Sequence, residues 1–205
     1  MKILNLYAGI GGNRKLWGDS FDITAVEHDE EIANVYKDLY PNDNVIVGDA
    51  HNFILDNHRD FDFIWSSPPC PTHSRFNHLT QNIPEKYEKR YPKMELYQEI
   101  IYLKHFFKGY YVVENVISYY DPLIEPQKSN NHYFWANVKI PYLKSDNRGI
   151  RGSGNNIKFV QERNGIYLDK YDIPKTKKKT MLNNCVLPEL GKVILDEVIK
   201  AKGNV

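Results

Sequence analysis

Short apolar runs alternate with amphipathic stretches through the first half of the chain. Each run is too short for a helix, and turn-forming residues follow most of them, which is typical of buried strands. Strands joined by helices in this way build βαβ units, so the pattern predicts an α/β fold with a parallel sheet. The five predicted strands are residues 3–7, 23–26, 45–47, 61–65 and 110–113.

Helical periodicity marks three longer stretches. Asp29 is placed to cap a helix whose apolar residues recur at i, i+3, i+4 and i+7. Residues 95–107 and 188–202 show the same kind of spacing. Between those two stretches, residues 133–140 predict a strand, and residues 145–156 predict a loop because they are rich in glycine, asparagine, serine and arginine.

Composition narrows the class of protein. The 205 residues carry 27 Lys and Arg against 26 Asp and Glu, so any nucleic-acid contact must come from local basic patches. No stretch reaches the roughly 18 apolar residues of a membrane span, and the N-terminus lacks the features of a signal peptide. The two cysteines, Cys70 and Cys185, cannot form a disulfide framework. We therefore expect one main domain in a reducing cytoplasm.

Glycines and acidic residues at the ends of the first three strands predict a cofactor site. Gly9, Gly11 and Gly12 follow the first strand, where glycines let a ligand approach the backbone. Glu27 ends the second strand, where an acidic residue commonly binds ribose hydroxyls, and Asp49 follows the third. Neither a complete G-x-G-x-x-G nor a Walker A motif is present, which favours a nucleoside without phosphates, such as S-adenosylmethionine.

Two further residues supply the groups for nucleophilic catalysis. Cys70 lies in a proline-flanked loop directly after the fourth strand, and Glu114 directly follows the fifth. The carboxyl ends of parallel strands meet at one edge of a sheet, so both residues would lie beside the cofactor. A thiolate can attack C6 of a pyrimidine while an acid holds N3, which makes C5 nucleophilic toward a methyl donor. Taken alone, Cys70 could instead be a structural cysteine, and Glu114 could instead be an acid that caps a helix.

Taken in order along the chain, these motifs resemble those of the DNA (cytosine-5)-methyltransferase family, in particular its short phage and prokaryotic members. The matching segments are LNLYAGIGG for the cofactor loop, AVEHD for the ribose acid, GDA for the adenine contact, SSPPC for the nucleophile and ENV for the acid. Near the C-terminus, NNCV followed by LPELGKVIL resembles the family's last motif, which completes the cofactor pocket. The resemblance covers most of residues 1–140 and 180–200.

The resemblance implies a Rossmann-like class I S-adenosylmethionine-dependent methyltransferase fold and a defined reaction. A cytosine is flipped out of double-stranded DNA, Cys70 adds to C6, Glu114 holds N3, and a methyl group passes from S-adenosylmethionine to C5. By the same match, the residues that line or border the cofactor pocket are Tyr7, Ala8, Gly9, Gly11, Glu27, His28, Asp49, Ala50, Pro69, Asn184 and Val186.

The sequence departs from the family where a basic residue should contact the flipped base. Members usually carry a Gln-x-Arg-x-Arg strand for this purpose, and two segments compete for the role. Residues 161–165 keep one arginine, Arg163, whereas residues 131–135 have His132 in the basic position. We favour the second segment slightly. The nucleophile loop also has Pro71 where glutamine is commoner.

The region that reads the target is also smaller than in typical members. We expect residues 1–143 and 181–205 to form the catalytic domain and residues 144–180 to form a small recognition segment. A second basic and aromatic stretch spans residues 87–93. The candidate DNA-binding residues are Ser74, Arg75, Arg148, Arg151, Lys177 and Lys178, although solvated loops and charged faces have the same composition.

Three other functions compete with this interpretation. An exocyclic-amine (N4-cytosine) methyltransferase would match Ser67, Pro68 and Pro69, but Cys70 stands where that class has an aromatic residue. An RNA cytosine-5 methyltransferase would use the same catalytic residues. A catalytically weak protein that only binds DNA and cofactor is suggested by the small recognition segment.

The remaining expectations concern location and partners. We expect double-stranded DNA as the partner, no membrane association, and the cytoplasm of a bacterium or of a phage-infected host, where restriction-modification is a common context. An auxiliary protein or an oligomer stays open. His73 and His78 have no further ligands in register, so no metal site is expected.

Overall fold

A single sheet of seven strands forms the centre of the protein. The strands are β1 Lys2–Leu6, β2 Asp22–Glu27, β3 Asn44–Val47, β4 Phe63–Ser66, β5 Tyr110–Val116, β6 Gln127–Ser129 and β7 His132–Ala136. They are ordered β3-β2-β1-β4-β5-β7-β6, and β7 runs antiparallel to both of its neighbours. The computed structural model describes residues 1–75, 78–79, 90–144 and 157–203. This mixed α/β sheet confirms the Rossmann-like fold class that the resemblance implies.

All five strands predicted for the first half of the chain are present. The largest difference is at β5, which continues through Glu114 to Val116 because β7 pairs with it along residues 112–116. The strand predicted at residues 133–140 is β7, which ends at Ala136. Strand β6 was not predicted, because its three residues include no apolar run.

Helices cover both faces of the sheet. The main helices are α1 Glu30–Leu39, α2 Ala50–Asn57, α3 Glu95–Phe106, α4 Ile157–Asn164, α5 Lys175–Asn183 and α6 Pro188–Gly203, with 3₁₀ helices at Asn13–Leu16 and His58–Asp60. Asp29 caps α1 as predicted, because its side chain accepts a hydrogen bond from the Ile32 backbone N–H at 3.1 Å. No helix within the described ranges is long and apolar enough to span a membrane.

Successive residues of each strand face opposite sides of the sheet, and both sides are buried. Leu4 and Ile64 belong to one core cluster with residues of α2 and α3. Ile3 and Trp65 belong to a second cluster with residues of α6. A parallel sheet covered on both faces has strands that are apolar at nearly every position, which explains why periodicity found them as continuous runs.

Helix α4 and the first six residues of α5 lie in the segment expected to read the target, and both helices pack against the main domain. Val160 of α4 and Leu182 of α5 are buried in one cluster with Ile10 of the glycine loop and Val35 of α1. Neither helix was predicted. The described part of this segment therefore forms part of the wall around the glycine loop.

A buried ion pair holds the 3₁₀ helix that follows the glycine loop. The Arg14 guanidinium donates two hydrogen bonds to the Asp43 carboxylate, at 2.8 and 2.9 Å, and both side chains are almost fully buried. A third bond reaches the exposed Asp19, and the guanidinium lies 5.0 Å from the centre of the Tyr40 ring. Bidentate geometry of this kind stabilises a buried charge that would otherwise be costly.

Candidate functional site

Both predicted catalytic residues and most of the predicted cofactor residues line one cavity at the carboxyl ends of the parallel strands. The cavity has a volume of about 280 Å³, close to the lower end of the range for small-ligand sites. Ligands of open α/β sheets bind at this edge. The predicted residues that line the cavity are Tyr7, Ala8, Gly9, Glu27, His28, Pro69, Cys70, Glu114, Asn184 and Val186.

The glycine loop lines this cavity, and the distant C-terminal motif packs against the loop. Gly9 has a φ of +55°, and a Cβ added there would meet no atom within 4 Å, so its face is open toward a ligand. Gly12 has the opposite surroundings, since a Cβ would lie 2.6 Å from the Cβ of Cys185 and 2.6 Å from the Val186 carbonyl oxygen. The close approach at Gly12 places the NNCV motif beside the loop.

Glu27 is held at the cavity wall by backbone hydrogen bonds. Its carboxylate accepts hydrogen bonds from the N–H of Gly9 at 2.9 Å and from the N–H of Asp29 at 3.0 Å. The His28 ring, which is mostly exposed, lies 3.0 Å from the same carboxylate. In the described structure the Glu27 Oε2 accepts one hydrogen bond, from Gly9, so it can accept a further one from a hydroxyl group in the cavity.

Cys70 and Glu114 influence each other electrostatically. Cys70 is half-buried in the loop after β4, and burial together with the charge of Glu114 raises the pKa of its thiol to about 11. Glu114 is buried, and it lies within β5 rather than after its end, which corrects the prediction. The antiparallel pairing with β7 extends the strand past the point where the apolar run stops. The free protein therefore keeps the thiol protonated.

Asn115 connects β5 to the nucleophile loop, a role that the sequence did not reveal. Its side-chain amide donates a hydrogen bond to the Pro68 carbonyl oxygen at 2.9 Å, and its side-chain oxygen accepts one from the Val116 N–H at 3.0 Å. The amide is buried, so these bonds fix the loop two residues before Cys70.

His132 is the basic residue that the structure brings to Glu114. It begins β7 opposite Val116, lines the cavity, and places its Nε2 3.6 Å from the Glu114 Oε1. The competing segment forms part of helix α4 rather than a strand, and the side chain of Gln161 is bonded to the Leu168 N–H and to Asp169. Contact between His132 and a flipped base stays a prediction.

Three predicted cofactor residues lie away from the described cavity lining. Asp49 is exposed and caps α2 by accepting a hydrogen bond from the Asn52 N–H at 2.9 Å. Ala50 is buried in the core beside α3, and Gly11 packs against the ring of Tyr40. Their contact with a cofactor stays a prediction.

Several of the predicted DNA-binding residues contact other groups of the protein in the described structure. Lys177 is engaged with Asp29 at 2.8 Å and with Glu31 at 2.7 Å, so a phosphate would have to replace these carboxylates. Arg75 donates to the Ser118 carbonyl oxygen at 3.0 Å. Ser74 forms an isolated bridge to residue 118, and Lys178 lies on α5. Arg148 and Arg151, like most of the stretch at 87–93, lie outside the described residues.

The residues of the cavity fit S-adenosylmethionine. Glu27 can accept hydrogen bonds from the ribose hydroxyls, and Gly9 leaves an open backbone face where a side chain would intrude. Asn184 and Val186 line the cavity as well. Cys70 and Glu114 border the same space, so a base bound beside them would lie next to the cofactor.

Solved structures show only distant likeness to this chain. A SAM-dependent methyltransferase from Agrobacterium tumefaciens is 17% identical, with a TM-score of 0.43 over 58% of this chain and 40% of its own. The PH0226 protein from Pyrococcus horikoshii is 20% identical, with a TM-score of 0.40 over 56% of this chain and 49% of its own. A hypothetical protein from Thermus thermophilus is 17% identical, with a TM-score of 0.43 over 66% of this chain and 73% of its own. The chain thus spans about half the length of the Pyrococcus protein.

The family comparison is more specific. No curated protein matches the chain significantly. The family model described as C-5 cytosine-specific DNA methylase matches residues 1–117, which contain the glycine loop, Glu27, Cys70 and Glu114. Because this match spans more than half of the 205 residues, the chain belongs to the C-5 cytosine-specific DNA methylase family, a family of S-adenosylmethionine-dependent methyltransferases.

Proposed function

We propose that the protein transfers a methyl group from S-adenosylmethionine to C5 of a cytosine in double-stranded DNA through a covalent adduct on Cys70. The observation that carries the proposal is the shared cavity of Cys70, Glu114, Glu27 and the glycine loop. A nucleophile, an acid and a nucleoside site are the three parts that this reaction needs.

The proposed reaction uses Cys70 as a reversible nucleophile. The target cytosine leaves the base stack, because C6 cannot be attacked within it. The sulfur of Cys70 forms a bond to C6, and the C5=C6 electron pair moves to C5. S-adenosylmethionine supplies the electrophilic methyl group that C5 takes up. C5 then loses its hydrogen as a proton to solvent, the sulfur leaves C6, and the double bond is restored.

Glu114 and Cys70 are coupled through one proton. In the free protein, the negative charge of Glu114 is one cause that keeps the thiol pKa at about 11. When the thiol proton passes to the Glu114 carboxylate, the acid can donate a hydrogen bond to N3 and no longer opposes the thiolate. The bound cytosine thus promotes thiolate formation, because its N3 accepts a hydrogen bond from the proton that Glu114 has taken from the thiol. His132, 3.6 Å from Glu114, is placed to orient this carboxyl group.

Target reading is proposed for the segment at residues 144–180 together with Ser74 and Arg75, which follow the nucleophile closely. The cytoplasm and a restriction-modification system remain the proposed setting. RNA is the second candidate substrate, because the catalytic residues would be the same for both polymers. The N4-cytosine reaction gives Cys70 no task, whereas here Cys70 borders the cavity beside Glu114.

The test is methyl transfer with tritiated S-adenosylmethionine and cytosine-containing duplex DNA, followed by base analysis. We expect label on C5 of cytosine, and we expect Cys70→Ser to abolish it. The matched control is Cys185→Ser, since Cys185 borders the same cavity but has no chemical task in the reaction. A duplex with 5-fluorocytosine should trap a covalent adduct on Cys70. Label on N4, label only in RNA, or transfer that survives Cys70→Ser would overturn the proposal.

A further inference from the structure

A buried carboxylate beneath the cavity takes no part in the proposed reaction. Glu99 of α3 is 1% exposed and lies on the face of the helix that packs against the sheet. Its Oε1 accepts a hydrogen bond from the Tyr7 hydroxyl and lies 3.0 Å from the His51 Nδ1. Its Oε2 accepts a hydrogen bond from the Ser66 hydroxyl at 2.6 Å. A buried charge is retained in a fold only when such partners satisfy it.

Each partner of Glu99 belongs to a different element around the cavity. Tyr7 is the first residue after β1 and begins the glycine loop. Ser66 ends β4, four residues before Cys70. His51 lies in the first turn of α2, directly after the loop that contains Asp49. One carboxylate therefore ties together the three loops at the carboxyl ends of β1, β3 and β4.

Tyr7 needs this support because its backbone is strained. Its φ is +54°, a left-handed conformation that is unfavourable for a residue with a Cβ. Burial and the charge of Glu99 hold the pKa of Tyr7 above its ordinary value, so the phenol remains a donor toward the carboxylate. The strained turn presents Ala8 and the open face of Gly9 to the cavity.

We propose that Glu99 is a positioning residue for cofactor binding, which fixes Tyr7 in the cavity wall, and that its pairing with His51 makes cofactor affinity depend on pH. This inference rests on the proposed function, because it takes S-adenosylmethionine as the ligand. Glu99 itself is not among the described residues that line the cavity, so it acts through Tyr7.

The direction of the pH effect follows from the groups around His51. The hydrogen bond to Glu99 raises the pKa of His51 above its ordinary value, and the charges of Glu99, Glu95 and Asp49 act in the same direction, against a partial desolvation. The side chain of His51 is 28% exposed and can exchange its proton with water. The ion pair is therefore complete at low pH and is lost as the pH rises through the raised pKa. Cofactor affinity should fall over the same interval.

The experiment is calorimetric titration of the full chain with S-adenosylmethionine between pH 6 and pH 9. Glu99→Gln should weaken binding about tenfold at pH 6, because a hydrogen-bonded buried charge is lost, and should flatten the pH profile. The His51→Gln protein should bind S-adenosylmethionine as tightly as the wild type at pH 9, and its affinity should not increase at pH 6. The matched control is Glu95→Gln, the same change one turn earlier on α3 at a side chain that is 45% exposed. It should stay within about twofold of the wild type and keep a pH-dependent slope, displaced only slightly, because the Glu95 charge is a smaller cause of the raised His51 pKa than the Glu99 hydrogen bond.

The possible outcomes distinguish a failure of this inference from a failure of the proposed function. A folded Glu99→Gln protein with wild-type affinity and pH profile would overturn the inference and leave the proposed function intact. If circular dichroism shows that Glu99→Gln does not fold, His51→Gln decides the matter, since a wild-type pH slope in that variant also overturns it. A wild-type protein that binds no S-adenosylmethionine at any pH overturns the proposed function first.

Discussion

Replacing Glu114 by glutamine should make Cys70 more reactive toward a simple alkylating agent while abolishing methyl transfer. In the free protein, burial is the larger cause of the raised thiol pKa and the charge of Glu114 is the second. Glutamine has nearly the same shape and no charge, so it removes the second cause alone. It also lacks the carboxyl proton that the proposed reaction needs at N3. The two effects have opposite signs, which a general loss of structure would not produce.

The expected increase in Cys70 reactivity is limited, because burial still raises the thiol pKa after the Glu114 charge is removed. The pKa of Cys70 is raised from 9.0 to about 11, and the Glu114 charge is the smaller of the two causes that raise it. A pKa change of one alters the thiolate population tenfold at a pH well below the pKa. The thiolate fraction at pH 8 should therefore increase by less than about tenfold, and the alkylation rate should increase with it.

The assay is the rate of iodoacetamide addition to Cys70, followed by mass spectrometry between pH 7 and pH 10. A Cys185→Ser background leaves a single thiol, and Glu30→Gln on the exposed start of α1 is the matched control. The wild-type rate should rise about tenfold for each pH unit, since the thiol pKa lies above this range. An alkylation rate that is unchanged or slower in folded Glu114→Gln protein would refute the electrostatic coupling of the two residues.

Two further predictions concern stability and are measured by urea unfolding. Gly12→Ala should cost about 1–3 kcal/mol, because the new Cβ would lie 2.6 Å from the Cβ of Cys185, whereas Gly48→Ala, whose Cβ meets only one atom at 3.9 Å, should change stability by less than about 0.5 kcal/mol. Equal stability of the two variants would contradict the close approach. Asp43→Ala should cost about 3–5 kcal/mol by leaving a buried guanidinium without its bidentate partner, whereas loss of the exposed Asp19 should cost below about 1 kcal/mol. Similar losses for both would show that burial does not decide the strength of these pairs.

The central sheet could be predicted from the sequence because its strands are buried on both faces and read as apolar runs. Helix α5 could not, since its sequence is mostly lysine and threonine and only Met181 and Leu182 are buried. Its helical state depends on packing against Ile10 and Val35, which are distant in sequence. A short stretch of sequence contains no information about such long-range packing, so its local pattern does not predict this helix.

Some features of the candidate site could likewise be predicted from the local sequence, whereas others depend on residues that are distant in the chain. Cys70 and Glu27 could be proposed as site residues from the sequence because a residue type at a strand end has chemical meaning by itself. Glu99 left a local signal that was passed over: it lies three residues after Leu96, on the apolar face of α3, where a charged residue is out of place. The engagement of Lys177 with two acidic residues of another helix left no such signal, because a run of lysines also suits a phosphate-binding surface.

The cavity depends on residues beyond the part of the chain that the family model matches. The match ends at residue 117, whereas His132, Asn184 and Val186 also line the cavity. Two close backbone approaches hold the later wall in place. One is at Gly12, and the other is at Gly191 of α6, where a Cβ would lie 2.2 Å from the Asn13 carbonyl oxygen. The glycine loop is therefore clamped between the sheet and the C-terminal helix, so a fragment ending at residue 117 would retain both proposed catalytic groups and lose one wall of the proposed cofactor site.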